Sequence, residues 1–311
     1  MSASTSPLPY TGNKSCIAPT IFSVMPKHTV YIEPCMGSAE TFFRKPRAEK
    51  EILNDYNGDL VNLFRNIQSN EKLAFLLGRL FLSVNSEQIF RANKQLLRDI
   101  PNVLDDIWET SEIVKDMSWK DVLNAAAFFE NQVYSFSSTG QTYGIARRDI
   151  EQRLPRLVSA YKRLRDAIIL HRDYKDVITY AACPGSFTFL DPPYKTTEKM
   201  YSKANFDADQ HAILFDFMAD IDRKFDGSAK FLITYNNDEY IQKLAKAKGF
   251  YIRVQPRLHN MRQAKEAGAT FDELLIANYD LDKQEEENQR LFYQATSQMT
   301  LFDFKCDYME D

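Results

Sequence analysis

The sequence predicts an α/β protein whose strand–helix alternation is interrupted by a mainly helical insertion. Three observations carry this. A strand–turn–helix–strand pattern opens the chain between Thr29 and Asn57. The stretch from Ser69 to Arg153 has little strand character. The alternation then resumes at Ala167 and leads to Asp191-Pro192-Pro193-Tyr194, directly after the apolar run Phe187, Phe189, Leu190. Alternating strands and helices build a parallel sheet.

Taken in order, Thr29 to Glu33 reads as an apolar strand broken by Pro34 and Gly37. A helix through Phe42 and Phe43 ends near Pro46, and Glu51 to Leu53 forms a second strand closed by Asn54-Asp55-Tyr56-Asn57. From Leu60 to about Leu97, apolar residues recur at helical spacing. The segment from Ser135 to Gly144 is rich in turn residues and reads as a loop. Strands follow at Ala167–Leu170, Thr188–Leu190, Lys230–Thr234 and Glu273–Asn278, with helices over Gln210–Arg223 and Asp238–Lys248, the latter stopped by Gly249. The expected organisation is a catalytic domain in two parts, 1–68 and 154–280, an insertion over 69–153, and an acidic, flexible tail over 281–311.

The chain is 311 residues long, 44% hydrophobic and 26% charged, which is ordinary for a soluble globular protein with a sizeable core. No apolar stretch is long enough to span a bilayer, and Met1 to Pro9 carries no apolar signal segment. Cys16, Cys35, Cys183 and Cys306 form no Cys-x-x-Cys pair and read as reduced thiols of a cytoplasmic protein. The net charge of −4 is unusual for a partner of nucleic acid, but nine acidic and three basic residues lie between Asp280 and Asp311. The remainder is slightly basic, and a run from Arg147 and Arg148 to Lys175 is distinctly so. Such a run is usually a solvated helix face and only sometimes a phosphate-binding surface. The four histidines form no cluster, and no metal is expected.

The chemistry is concentrated in four segments. Asp191-Pro192-Pro193-Tyr194 presents a carboxylate, a carbonyl whose direction the prolines preset, and an aromatic ring. These suit a flat heterocycle with an exocyclic amine: Asp191 and the Pro192 carbonyl can each accept an N–H, and Tyr194 can stack. The same four residues also suit an ordinary strand-closing turn. Glu33-Pro34-Cys35-Met36-Gly37-Ser38-Ala39-Glu40 is a glycine turn between strand and helix that lacks both the dinucleotide fingerprint and the P-loop lysine. Asp55 ends the second strand, where a carboxylate suits a ribose diol or an Asx-turn. Tyr10-Thr11-Gly12-Asn13-Lys14 precedes an apolar helix.

In this order the segments resemble the adenine-specific N6 DNA methyltransferases of the Dam type (D12 class, alpha group). The resemblance extends through Leu170-His171-Arg172-Asp173-Tyr174 and Glu273-Leu274-Leu275-Ile276-Ala277-Asn278-Tyr279. The chain departs from the family at Cys35, usually Phe, and at Ala39, usually Gly; alanine is small enough for a tight helix start. The resemblance implies a Rossmann-like S-adenosylmethionine-dependent methyltransferase fold with a helical DNA-recognition insertion. It implies S-adenosylmethionine held by Tyr10, by Lys14 at the carboxylate, by Glu33, Pro34, Gly37 and Ser38 along the methionyl part, by Asp55 at the ribose, and by Asp173 with Tyr174 at the adenine. Asp191, Pro192 and Tyr194 would hold an adenine extruded from duplex DNA, because its N6 is out of reach while stacked. Gln141, Tyr143, Arg147 and Arg148, in the loop from Ser135 and the basic stretch after it, would touch the DNA.

The same tetrapeptide class also serves RNA and protein-amide methylation. A catalytically silent DNA-binding protein is a further reading, which intact Asp191, Tyr194 and Asp55 disfavour. In the tail, Gln298-Met299-Thr300-Leu301-Phe302 resembles the Gln-x-x-Leu-Phe peptide that docks on bacterial sliding clamps, with Gln298, Leu301 and Phe302 as anchors in an extended peptide. The other reading folds this segment back on its own domain.

Overall fold

The computed structural model of the chain describes residues 5–99, 119–144, 149–194, 208–258 and 270–306. Their strands are β1 (Val30–Glu33), β2 (Lys50–Asn54), β3 (Ile168–Leu170), β4 (Ser186–Leu190), β5 (Lys230–Asn236), β6 (Tyr251–Leu258) and β7 (Thr270–Ala277). They form one sheet in the order β3-β2-β1-β4-β5-β7-β6. The pairs among the first five strands are parallel, and β7 runs against both β5 and β6.

Parallel strands covered on both faces need apolar side chains on both faces. In β4 all five residues are buried. Tyr31, Leu53, Phe187, Phe189, Leu232 and Leu275 point into one core. Their neighbours Ile32, Ile52, Leu190, Phe231, Ile233 and Ile276 point into the other.

The helices are α1 (Ala18–Ser23), α2 (Glu40–Arg44), α3 (Gly58–Gln68), α4 (Asn70–Phe81), α5 (Glu87–Asp99), α6 (Trp119–Tyr134), α7 (Leu154–Leu164), α8 (Tyr174–Ala181), α9 (Ala208–Lys224), α10 (Glu239–Ala247) and α11 (Leu281–Cys306). One face of the sheet is covered by α8, α9 and α10 through Ile178, Phe215 and Ile241. The opposite core collects α1 to α7, and Leu76, Phe90 and Phe129 of the inserted helices join Phe64 of α3 in it. α4, α5 and α6 therefore share one core with this face of the sheet. The helical spacing from Leu60 to Leu97 is broken twice. Ser69 caps α4 by accepting the Lys72 N–H, and the chain turns again before α5.

Two sequence expectations are corrected. β6 was not anticipated, because Tyr251–Leu258 is an edge strand with mixed polarity and a proline at Pro256. The tail, expected to be flexible, is helical from Leu281 to Cys306. Two of its acidic residues pair with Arg253 of β6, Asp282 at 2.5 Å and Glu285 at 2.7 Å. Asn288 donates to the Ser23 and Met25 carbonyls. Gln298, Leu301 and Phe302 thus lie on a helical backbone, not an extended one.

A buried charge cluster locks α7 to the sheet. Glu51 accepts from Lys45 at 2.5 Å and from both terminal nitrogens of Arg163, which also donates to the Phe42 carbonyl. The Arg163 guanidinium lies 3.7 Å from the centroid of the Phe42 ring. Removing the carboxylate strands two buried cations. Glu51→Ala is expected to lower unfolding free energy by about 3–5 kcal/mol, read as a reduced urea midpoint.

Candidate active site

The order of the sheet places its topological switch between β1 and β4, and open α/β sheets bind ligands beyond the carboxyl ends of strands at that point. A cavity of about 910 Å³ opens there. The loops after β1, β2, β3 and β4 form one wall of it, and α5, α6 and the turn after α6 contribute to the other.

Asn54 ties three of these loops together. Its amide donates to the Pro34 carbonyl at 2.8 Å and the Arg172 carbonyl at 3.0 Å, and its oxygen accepts the Arg172 N–H at 2.8 Å. Its backbone carbonyl accepts the Met36 N–H. Asp55 braces the same turn, taking the Gly37 N–H at 2.9 Å on one oxygen and the Asn57 N–H at 2.8 Å on the other. Burial pushes the Asp55 carboxyl up, and these hydrogen bonds partly oppose that. Gly37 has φ +47°, and a Cβ there would sit 3.6 Å from the Tyr10 ring, so left-handed backbone is what calls for glycine. Ala39, where the family usually has glycine, adopts φ +54° as the residue before α2. The turn keeps its shape with an alanine in the left-handed region.

Glu33 is buried and accepts the Tyr31 hydroxyl at 2.8 Å. Burial pushes its carboxyl up to about 8, the Tyr31 bond pulls the other way, and the charge of Asp191 adds to the rise. Ser38 is buried, and its carbonyl accepts the Ser6 hydroxyl at 2.6 Å. Asp173 caps α8 by accepting the Lys175 N–H at 2.8 Å, and its neighbour Tyr174 packs edge-on against Phe217. Cys35, Asp173 and Tyr174 all line the cavity.

At the end of β4, Asp191 lines the cavity beside Pro193, while Pro192 is buried and Tyr194 half-buried. Asp191 pairs with Lys14 at 2.6 Å and accepts the Thr234 hydroxyl at 2.9 Å. Thr234 sits on β5, within an apolar run that gave no sign of a polar task. The Tyr194 ring is tilted 34° against Tyr235 at 5.7 Å. The Lys14 ammonium contacts Asp191 and the Gly12 carbonyl.

The turn after α6 is an ordered hairpin. Phe136 donates to the Thr142 carbonyl, Gly144 to the Tyr134 carbonyl, and Gly140 to the Ser135 hydroxyl. Its Ser137 and Ser138 carbonyls accept the Thr11 hydroxyl at 3.1 Å, so the first loop of the chain is strapped to the insertion. Gln141 lines the cavity and is exposed. The Tyr143 hydroxyl donates to Asn85 at 2.8 Å, and its half-buried ring packs against Phe90. Arg147 and Arg148 lie outside the described residues.

The cavity therefore joins backbone donors, carboxylates spaced along adjacent strand ends, and Asp191 in one space. Asp55 and Asp173 can serve the diol and amine of a nucleoside, and the Gly37 turn admits an extended ligand close to the backbone. This donor set fits S-adenosylmethionine.

Comparison with known proteins agrees. The profile of the D12 class N6 adenine-specific DNA methyltransferases matches residues 10–261. The type II methyltransferase M.MjaIII of Methanocaldococcus jannaschii is 26% identical over 296 residues, covering 88% of this chain and 98% of that protein. The DNA N-6-adenine-methyltransferase of Escherichia phage P1 is 27% identical over 258 residues, 79% of this chain but 31% of that longer protein. The type II methyltransferase M.CviBI of Paramecium bursaria Chlorella virus NC1A is 24% identical over 260 residues, 81% of this chain and 90% of that one.

Two measurements probe the architecture of the site. The folded state keeps a proton on Glu33 that the unfolded chain releases above its ordinary value of 4.5, so stability falls as pH rises from about 4.5 to 8. Glu33→Gln removes that slope, and its thermal midpoint is expected to exceed the native one increasingly towards pH 8. Asn54→Ala leaves the Pro34 and Arg172 groups without their partner; a loss of about 2–4 kcal/mol is expected in chemical denaturation.

Proposed function

Because the chain belongs to the D12 class of N6 adenine-specific DNA methyltransferases, we propose that the cavity between β1 and β4 holds S-adenosylmethionine and an extruded adenine together. The reaction is transfer of a methyl group from S-adenosylmethionine to N6 of adenine in DNA. A volume of about 910 Å³ is at the upper end for single-ligand pockets and leaves room for a second ring.

The observation that carries the assignment of residues is that Asp191, at the end of β4, opens into the same space as Asp55 and Asp173. Asp55 takes the ribose hydroxyls. Asp173, with Tyr174 beside it, takes the adenine amine of the cofactor. The turn from Glu33 through Pro34, Gly37 and Ser38, with Tyr10 and Lys14 facing it, lines the methionyl part. When bound, S-adenosylmethionine supplies an electrophilic methyl group.

Asp191 and the Pro192 carbonyl accept the two N6 hydrogens of the target base. N6 normally delocalises its lone pair into the ring and is a weak nucleophile. Two acceptors held on one side favour the pyramidal nitrogen whose lone pair is free to attack, and the carboxylate stabilises the positive charge that grows there. Thr234 fixes one Asp191 oxygen, which sets the direction of the other. The proton leaves nitrogen after the methyl arrives, because only then is it acidic. Tyr194 stacks on the base and replaces part of the stacking lost from the duplex, about 1–3 kcal/mol.

Gln141, which lines the cavity, and Arg147 and Arg148, later in the sequence, are the residues proposed to touch the DNA. The clamp-docking peptide carries no weight in this function, since Gln298, Leu301 and Phe302 lie on a helix where docking calls for an extended chain.

The assay is transfer of labelled methyl from S-adenosylmethionine to DNA, with N6-methyladenine identified in the digest. The native chain is expected to label DNA and not RNA. Asp191→Ala should lose activity by about 1,000-fold or more while its circular dichroism stays native; its thermal midpoint falls, because Lys14 is left without its partner. Near-native turnover in that variant would refute the assignment.

A further inference from the structure

Lys14, which is buried, forms an ion pair with the partly exposed Asp191 that neither residue's role explains alone. Lys14 is only 4% exposed. Its ammonium lies 2.6 Å from Asp191 Oδ2, 2.9 Å from the Gly12 carbonyl and 5.0 Å from the centroid of the Tyr194 ring. The other Asp191 oxygen takes the Thr234 hydroxyl. An N–H donor that bonds Asp191 and lies near the ring of Tyr194 makes the contacts the target amine needs. It also places a cation beside the nitrogen on which positive charge must grow. In this arrangement the carboxylate is engaged and the base is opposed.

Withdrawing Lys14 into the cavity alone is unfavourable, because a buried ammonium requires an anion. Glu33 also lines the cavity, yet burial, together with the charge of Asp191, raises its carboxyl to about 8, and it is neutral near pH 7. The carboxylate of the cofactor's amino-acid part is the anion the reaction itself brings. We propose that Lys14 is a positioning residue that exchanges partners: it holds Asp191 until the cofactor carboxylate takes its ammonium, and the exchange frees Asp191 for the target amine. This rests on the placement of cofactor and base given above. It makes Asp191 a competitor of the cofactor for Lys14, and cofactor occupancy a condition for capture of the base.

The competition is measurable without DNA. Calorimetry on the full chain compares S-adenosylhomocysteine with 5′-methylthioadenosine, which keeps the adenosine and sulfur but lacks the amino-acid part. Asp191→Asn should tighten S-adenosylhomocysteine by about tenfold and leave methylthioadenosine within about twofold. In a Lys14→Met background the same Asp191→Asn change should shift S-adenosylhomocysteine by less than about twofold. An unchanged or weakened affinity for S-adenosylhomocysteine in Asp191→Asn overturns the exchange. So does an equal gain for methylthioadenosine, or a gain that persists without Lys14. Should Lys14→Met fail to fold, the two-ligand comparison in Asp191→Asn decides by itself. The methylation assay stays separate: loss of turnover in Asp191→Ala with no tightening in Asp191→Asn sinks the exchange and leaves the enzyme assignment standing. No binding of S-adenosylhomocysteine to the native chain removes both.

Discussion

One amide side chain organises the site. Asn54 bonds to the loops that leave β1 and β3 and, through its own carbonyl, to Met36. The ends of parallel strands are otherwise independent, since each strand runs on into its own loop. Joining them through one buried group fixes the spacing between the Gly37 turn, Asp55 and Asp173. Asp55 completes the brace by holding the Gly37 N–H, so the carboxylate assigned to the ribose also shapes the turn next to it.

The wall opposite is built differently. Among the described residues, the inserted helices pack through Phe90 and Phe129 into the core that contains Phe64 and Phe187. That continuity keeps the hairpin after α6 at a set distance from the strand ends, and Thr11 closes the remaining gap. The cavity is therefore bounded by rigid elements on both sides, which suits a reaction limited by orientation.

Much of this was legible in the sequence. The buried parallel strands announce themselves as apolar runs ended by turn residues; three of the four chemical segments fall at their carboxyl ends, and the fourth, Tyr10 to Lys14, reaches the same cavity from ahead of α1. What could not be read depends on partners distant in sequence. Asn54 is one polar residue in a quoted motif, and nothing local shows that its partners are 20 and 118 residues away. Thr234 is hidden in an apolar strand and matters only because β5 lies beside β4. Tyr143, expected at the DNA, also bonds Asn85 and packs on Phe90, partners more than 50 residues away that nothing local shows. The acidic tail looked solvated because its counter-charge, Arg253, sits on a strand whose proline and polar residues disguised it.

The strap from Thr11 to the Ser137 and Ser138 carbonyls bears on how the enzyme is made. It links positions 126 and 127 residues apart, and the Tyr279 hydroxyl reaches the Val24 carbonyl across 255. Contacts so far apart form slowly, after their loops have closed. During synthesis Thr11 cannot find its place until position 138 has emerged, nor Val24 until Tyr279 has.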